Sequence, residues 1–188
     1  MKVILIWGPQ AVGKMAVGYE IAKIKGYKVL HAHMTIEMLI KLFDWGSPQF
    51  NKLDIEFYFR LLEELAKSDI PGLILTKVRL LNRESDNKLV EKILNFFITK
   101  NHPVYEVELF ATLEERLRRN KTPLRLKEKV SKQDIAFSED LINQWHNSDL
   151  ETTSSEPFGR VRDNYLKIDT SNLTEIETAK KIIDAFNL

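Results

Sequence analysis

Gly8-Pro9-Gln10-Ala11-Val12-Gly13-Lys14-Met15 is the stretch from which the rest of the chain is read. Before it, Lys2 to Trp7 is a short apolar run with the character of a buried parallel strand. After it, Val17, Ile21 and Ile24 recur at helical spacing and would face a core. The glycines therefore fall where a strand turns into a helix, the setting a phosphate-binding P-loop requires. Gly8 and Gly13 permit backbone angles and close approach that a side chain would block. The N–H groups of Pro9-Gln10-Ala11-Val12 and of the helix start, less the proline's, then cradle phosphate oxygens, and Lys14 reaches the β- and γ-phosphates. A plain glycine turn ahead of an ordinary helix is the simpler alternative, but strand, glycines, lysine and helix together favour nucleotide binding.

The motif departs from its pattern at one place. It asks for Ser or Thr after the lysine, to put a hydroxyl on Mg²⁺, and here Met15 and then Ala16 follow. A thioether is a poor ligand for a hard cation. Water could replace the missing oxygen, the metal could be held elsewhere, or turnover could be weak, so the metal ligands stay unknown.

A length of 188 residues suits one domain with a sizeable core, and 44% hydrophobic with 29% charged residues fits a globular protein. A net charge of +1 gives no bulk electrostatic case for nucleic acid or an acidic membrane. Cysteine is absent, which removes disulfides and thiol chemistry and suits a reducing compartment. No apolar run is long enough for a signal peptide or a membrane span, so the expected location is cytoplasmic. The sequence leaves monomer and homodimer both open.

Along the chain, Lys28 to His33 reads as a second strand and Thr35 to Phe43 as a helix. A longer helix is expected from about Phe50 to Lys67, a third strand over Leu73 to Val78, and a helical stripe from Leu89 to Phe97. Pro103 to Phe110 is the fourth strand. Thr112 with Glu115 forms a capping-box pattern that starts a helix reaching about Asn120. Residues 121–131 read as a basic loop, Ser131 to about Trp145 as a helix, and 148–160 as a loop. Tyr165 to Asp169 is the fifth strand, and Thr174 with Glu177 caps a final helix. This alternation implies a parallel sheet covered on both faces, with ligands at the carboxyl ends of its strands.

Several groups reach those ends. His31 and His33, two apart on one strand, would share a face, and His33 could take a proton from an acceptor hydroxyl. A zinc site is poorly supported, since only His102 and His146 remain and there is no cysteine. A hydrogen-bonded histidine at a strand end is an equal alternative. Glu114–Arg118 and Glu115–Arg119 are ordinary i,i+4 pairs, yet Arg119 and Arg125 are candidates for phosphate contacts, set against a merely solvated basic face. Asp44 and Trp45 could line an acceptor pocket, or Trp45 could simply tuck against the core. Lys77 and Arg79, past the third strand, could hold an anionic acceptor. No aspartate closes that strand, so no second magnesium support is assigned there.

The pattern resembles the small P-loop kinases: shikimate kinase, adenylate-kinase-like enzymes and chloramphenicol-type phosphotransferases. The resemblance rests on Gly8 to Lys14 and on Leu113 to Arg119 leading into Thr122-Pro123-Leu124-Arg125, and it spans nearly the whole chain in order of elements. It implies a three-layer α/β/α fold with a five-stranded parallel sheet in the order 2-3-1-4-5. It also implies ATP and Mg²⁺ as cofactors and acceptor-side helices over about 34–67. A lid over about 119–146 would carry Arg119 and Arg125, and a turn at Thr170, Ser171 and Asn172 would pack on adenine. The chain departs from shikimate kinases, which have carboxylates where it has His31-Ala32-His33 and a glycine run where it has Thr76 to Arg79. The leading expectation is an ATP-dependent phosphotransferase acting on a small hydroxyl- or phosphate-bearing molecule. A nucleotide-binding regulator with little or no transfer, motivated by Met15, is the alternative. RNA-end phosphorylation is weaker, given the neutral charge.

Overall fold

The computed structural model describes residues 1–146, 152–153 and 155–188. β1 (Lys2–Trp7) is buried along all but its first residue because it lies mid-sheet. It pairs in parallel with β3 (Gly72–Lys77) on one side and β4 (Val104–Phe110) on the other. β2 (Lys28–His31) extends the sheet beyond β3, and β6 (Tyr165–Asp169) beyond β4, both parallel. The expected five-strand order is therefore present, with Tyr165–Asp169 as its fifth member.

The sheet nevertheless has six strands, in the order β2-β3-β1-β4-β6-β5. β5 (Gly159–Arg162) runs antiparallel to β6 at the edge. The loop expected over 148–160 is corrected at this point; residues 147–151 and 154 lie outside the described residues. Arg160 and Arg162 hid the strand, since an edge strand need not alternate apolar and polar residues, and charge there blunts the edge. The signal that could have found it is Asp163-Asn164, a two-residue turn ahead of Tyr165.

Alternation along the strands sends side chains to two cores. Ile4, Ile6, Ile74 and Val107 meet α1 (Lys14–Lys25) and α8 (Glu175–Phe186) through Ile21, Ile182 and Phe186. Val3, Leu5, Leu73 and Leu75 meet α3 (Pro48–Ala66) and α4 (Glu84–Ile98) through Tyr58, Leu62, Ile93 and Phe97. Glu108 is the exception on β4: fully buried, it accepts hydrogen bonds from the Tyr165 hydroxyl and from Thr153 N (2.9 Å) and Oγ1 (2.6 Å). It thereby ties residues 152–153 to the sheet.

Three local expectations are corrected. The second strand stops at His31, and His33 opens α2 (His33–Leu39) instead of sharing the strand face. The hydroxyl of Thr35 donates back to Ala32 O (3.1 Å) and across to Asp54 Oδ1 (2.6 Å), which fastens this early helix start. Residues expected as a basic loop form α6 (Pro123–Glu128) and a 3₁₀ turn (Val130–Lys132), ahead of α7 (Ile135–His146). Proline at the first helical position behind Thr122 was the start signal. In α5 (Leu113–Asn120) Thr112 Oγ1 accepts from Glu115 N (3.4 Å), but the Glu115 carboxylate turns to Arg118 and Arg119, so only half a capping box forms. At Thr174 and Glu177 both halves are present.

Candidate active site

The loop after β1 closes on itself. Gly8 has φ +143°, and a Cβ there would sit 2.2 Å from Leu109 O, so no side chain fits between the loop and β4. Ala11 (φ 62°) and Gly13 (φ 99°) are left-handed, a backbone pattern of the kind that builds an anion-binding concavity. Lys14 Nζ donates to Gly8 O (2.8 Å) and Pro9 O (2.5 Å), bent back over its own loop. A cavity of about 530 Å³ opens here between the loop, α5, α6 and the turn before α8. Its wall includes Ala11 to Val17, Arg119, Arg125, Lys129 and Thr170 to Thr174.

Two arginines hold this wall together. Arg116 is buried and its Nε donates to Gln10 O (2.8 Å). Arg119 donates from Nη1 to Val12 O (3.1 Å) and Thr170 Oγ1 (2.9 Å), from Nη2 to Thr170 O (2.7 Å) and Leu173 O (3.2 Å), and from Nε to Glu115 (2.6 Å). Arg119 thus clamps the loop after β1 to the Thr170–Leu173 turn. This bonding supports a brace where the sequence suggested a phosphate contact. Ser171 and Asn172 lie on the same turn; Ser171 Oγ accepts from Thr112 N (2.9 Å), joining it to the start of α5.

Arg125 is different. Only its Nε is bonded among the described residues, to Asn120 Oδ1 (2.9 Å), and it borders the cavity. Burial, then the neighbouring Arg116, brings its pKa down to about 10, so it remains a cation at neutral pH. One helical turn on, Lys129 also borders the cavity, and burial together with Arg125 and Lys132 lowers it to about 7. Lys129 was missed in the sequence because it sat in a stretch read as loop; the i,i+4 spacing from Arg125 becomes visible once Pro123 is taken as a helix start.

The histidines separate. His31, 2% exposed, stands edge-on to Tyr19 with Nε2 3.8 Å from Glu128 Oε2, and Tyr19 OH donates to the same carboxylate (3.1 Å). Burial lowers His31 to about 4, so at neutral pH this is a contact of a neutral ring and not an ion pair. It packs α6 against α1 and β2. His33 Nδ1 lies 2.9 Å from Glu37 Oε1. The ionised carboxylate only accepts, so Nδ1 carries the proton and Nε2 keeps its lone pair. Ser131 completes the link: its Oγ (2.5 Å) and N (3.0 Å) both donate to Glu37, which latches α2 to the 3₁₀ turn.

The latch is acid-sensitive. Burial lowers His33 to about 4 from its ordinary 6.5, and hydrogen bonds from His33 and Ser131 overcome burial to hold Glu37 at about 2 against 4.5. Both groups bind protons more readily unfolded, so stability falls with pH, through 6.5 to 4 for His33 and 4.5 to 2 for Glu37. Between pH 6.5 and 4, His33→Gln is expected to lose less stability than wild type, by at most about 3 kcal/mol, in urea titrations. Parallel curves for the two proteins would show that His33 titrates normally.

Both histidines and the remaining candidates stand outside the cavity wall. Lys77 Nζ lies 3.9 Å above the Tyr58 ring, and burial lowers its pKa. Arg79 stacks over Trp7 and donates to Asn87 Oδ1 (2.8 Å) and Glu106 Oε1 (3.2 Å), so its charge is already matched. Asp44 is exposed, as is Trp45 (59%), which rests on Phe50 with Lys132 Nζ 5.5 Å from its ring.

For ATP the wall fits: a left-handed loop, Lys14, the Arg125 cation and the basic Lys129 on one cavity. For Mg²⁺ the fit is incomplete, because Met15 is buried (7% exposed) and neither it nor Ala16 carries an oxygen donor. Among the described residues no three His, Asp or Glu side chains converge as a metal group. No described helix is long and apolar enough to cross a membrane.

No protein-family model matches the chain, and no curated protein matches it. Solved structures do. The tunicamycin resistance protein of Deinococcus radiodurans is 19% identical with TM-score 0.56, over 100% of this chain and 97% of that one. The APS kinase of Mycobacterium tuberculosis is 15% identical with TM-score 0.59, over 100% and 98%. Shikimate kinase of Acinetobacter baumannii is 15% identical with TM-score 0.53, over 98% and 92%. At these identities the likeness is one of fold: the chain has the fold of the small P-loop kinases.

Proposed function

We propose that the protein is an ATP-dependent phosphotransferase acting on a small hydroxyl- or phosphate-bearing acceptor. The observation that carries this is Lys14, poised on the carbonyls of its own loop in a cavity that Arg125 and Lys129 close from the α6 side. ATP supplies the transferable γ-phosphoryl group. Lys14 leaves Gly8 O and Pro9 O for the β- and γ-phosphates, with the loop amides beside it. Arg125 and Lys129 stabilise the charge that spreads over the phosphoryl oxygens in transfer. His33 Nε2 accepts the acceptor's hydroxyl proton, oriented through Nδ1 by Glu37. A new phosphorus–oxygen bond forms to the acceptor, and the bond to the ADP oxygen breaks. Arg119 keeps the phosphate loop and the Thr170–Asn172 turn in register for the base. In this reading residues 119–146 are the lid and 34–67 the acceptor side.

The test is ADP release from ATP and Mg²⁺ across shikimate, nucleosides, nucleoside monophosphates, sugar phosphates and chloramphenicol-type compounds. Acceptor-stimulated release that disappears in Lys14→Ala supports the kinase. No stimulation by any acceptor, with ATP still bound, favours the second reading, a nucleotide-binding regulator. Met15 and Ala16 are the observation behind that alternative. Met15→Ser offers the missing hydroxyl and is expected to lower the Mg²⁺ concentration for half-maximal nucleotide binding by roughly tenfold, the worth of about one hydrogen-bond-sized contact. A fluorescent ATP analogue titrated with Mg²⁺ reads this directly; an unchanged midpoint would mean that the position plays no part in metal binding.

A further inference from the structure

We propose that Arg125, Lys129 and Lys132 form a basic track from the nucleotide cavity to Trp45, and that this track selects an acceptor carrying its own phosphate or carboxylate. The inference deepens the kinase reading and rests on it for the word acceptor. The three residues are brought together by two consecutive backbone turns. Lys129 N donates to Arg125 O (3.0 Å), closing an α-helical turn, and Lys132 N donates to Lys129 O (2.9 Å), closing a 3₁₀ turn. Lys129 is the non-helical joint between the two turns (φ −135°, ψ 75°), and the charges of both Arg125 and Lys132 act on its ammonium group. One edge of this segment therefore presents three successive basic side chains.

Their charge is matched only in part from within, by the single Glu37 carboxylate. Among the described residues neither Lys129 nor Lys132 has a hydrogen-bond or ion-pair partner for its ammonium group. Both feel Glu37, but each of its oxygens is already held, Oε1 by His33 and Ser131 Oγ, Oε2 by Ser131 N. Like charges held together and partly out of water call for an anion.

The nucleotide does not account for the whole track. Arg125 and Lys129 border the cavity, but Lys132 does not; its ammonium lies over Trp45, on the loop between α2 and α3. A ligand that reaches Lys132 extends past the cavity wall to the neighbourhood of His33, on which the Lys132 charge acts. An anionic group there neutralises Lys132 and Lys129, while the exposed face of Trp45 offers a flat apolar wall to the rest of the molecule.

Inorganic phosphate is the probe. It is titrated by calorimetry into Lys14→Ala protein, whose P-loop is disabled, and into wild type saturated with a non-hydrolysable ATP analogue. Binding is expected in both, weakened at least tenfold by Lys132→Gln and restored by Lys132→Arg, with melting temperatures as the check on folding. No binding in either protein, or binding indifferent to Lys132→Gln, overturns the proposal. Failure of the kinase reading shows separately, as wild type that does not bind the analogue, and the Lys14→Ala titration still decides the track. Acetate competing with phosphate identifies a carboxylate acceptor, and phosphate binding alone a phosphorylated one. In the acceptor panel, joined by the neutral sugars that match the sugar phosphates, nucleoside monophosphates and sugar phosphates are expected to lead their neutral counterparts at least tenfold in kcat/KM. Equal or reversed preference overturns the selection.

Discussion

Lys14→Ala is expected to weaken ATP binding about a hundredfold and to abolish measurable phosphoryl transfer, while the fold survives. A charge-assisted contact to phosphate contributes roughly 1.5–3 kcal/mol, and loss near the upper end corresponds to two orders of magnitude in Kd. Transfer suffers more, because the ammonium group also opposes charge that develops only at the transition state. The fold survives because Lys14 begins α1 and its Nζ donates to two loop carbonyls that a water can serve. Calorimetry with ATP, beside the melting temperature, separates these effects. Undiminished affinity in a folded Lys14→Ala protein would sink the assignment of the loop and with it the kinase reading.

Arg119→Ala and Arg125→Ala are expected to fail in different ways, although the sequence placed them in one role. Removing Arg119 strips donors from Val12 O, Thr170 O, Thr170 Oγ1 and Leu173 O and leaves Glu115 without its half-buried partner. The expected cost is about 3–5 kcal/mol, the range for breaking a buried charged network. That corresponds to a fall in melting temperature of roughly 10 °C for a chain of this size. Removing Arg125 sacrifices one bond to Asn120 and relieves repulsion with Arg116, so folding changes little. Turnover is expected to drop about a hundredfold to a thousandfold, as when one preorganised transition-state contact is deleted. Melting curves and kcat for both variants decide the matter. A stable but inactive Arg119→Ala would return that residue to the phosphates.

Much of this was legible in residue order alone. Gly8, Gly13 and Lys14 between an apolar run and a helical stripe fixed the loop, since local backbone freedom and a strand-to-helix transition are properties of neighbours in sequence. The parallel strands were readable for the same reason: a strand buried on both faces is apolar along its length, as β1 and β3 are. The final helix announced itself through Thr174 and Glu177, whose reciprocal bonds span three residues.

Tertiary structure alone decided which charged side chains are partnered. Arg119 and Arg125 look alike in the sequence, and what separates them is that carbonyls of residues 12, 170 and 173 converge on one guanidinium and not on the other. His31 and His33 parted where the strand gives way to α2, whose start is fastened by Thr35 to Asp54 on α3, a contact 19 residues apart. Lys129 and Lys132 emerged as a pair only when α6 and the 3₁₀ turn lined them up and His33 and Ser131 engaged Glu37 first. A charge's function depends on which groups from distant parts of the chain neutralise it. Short-range pattern fixes backbone conformation, but that neutralisation is settled when the packed elements bring their side chains together.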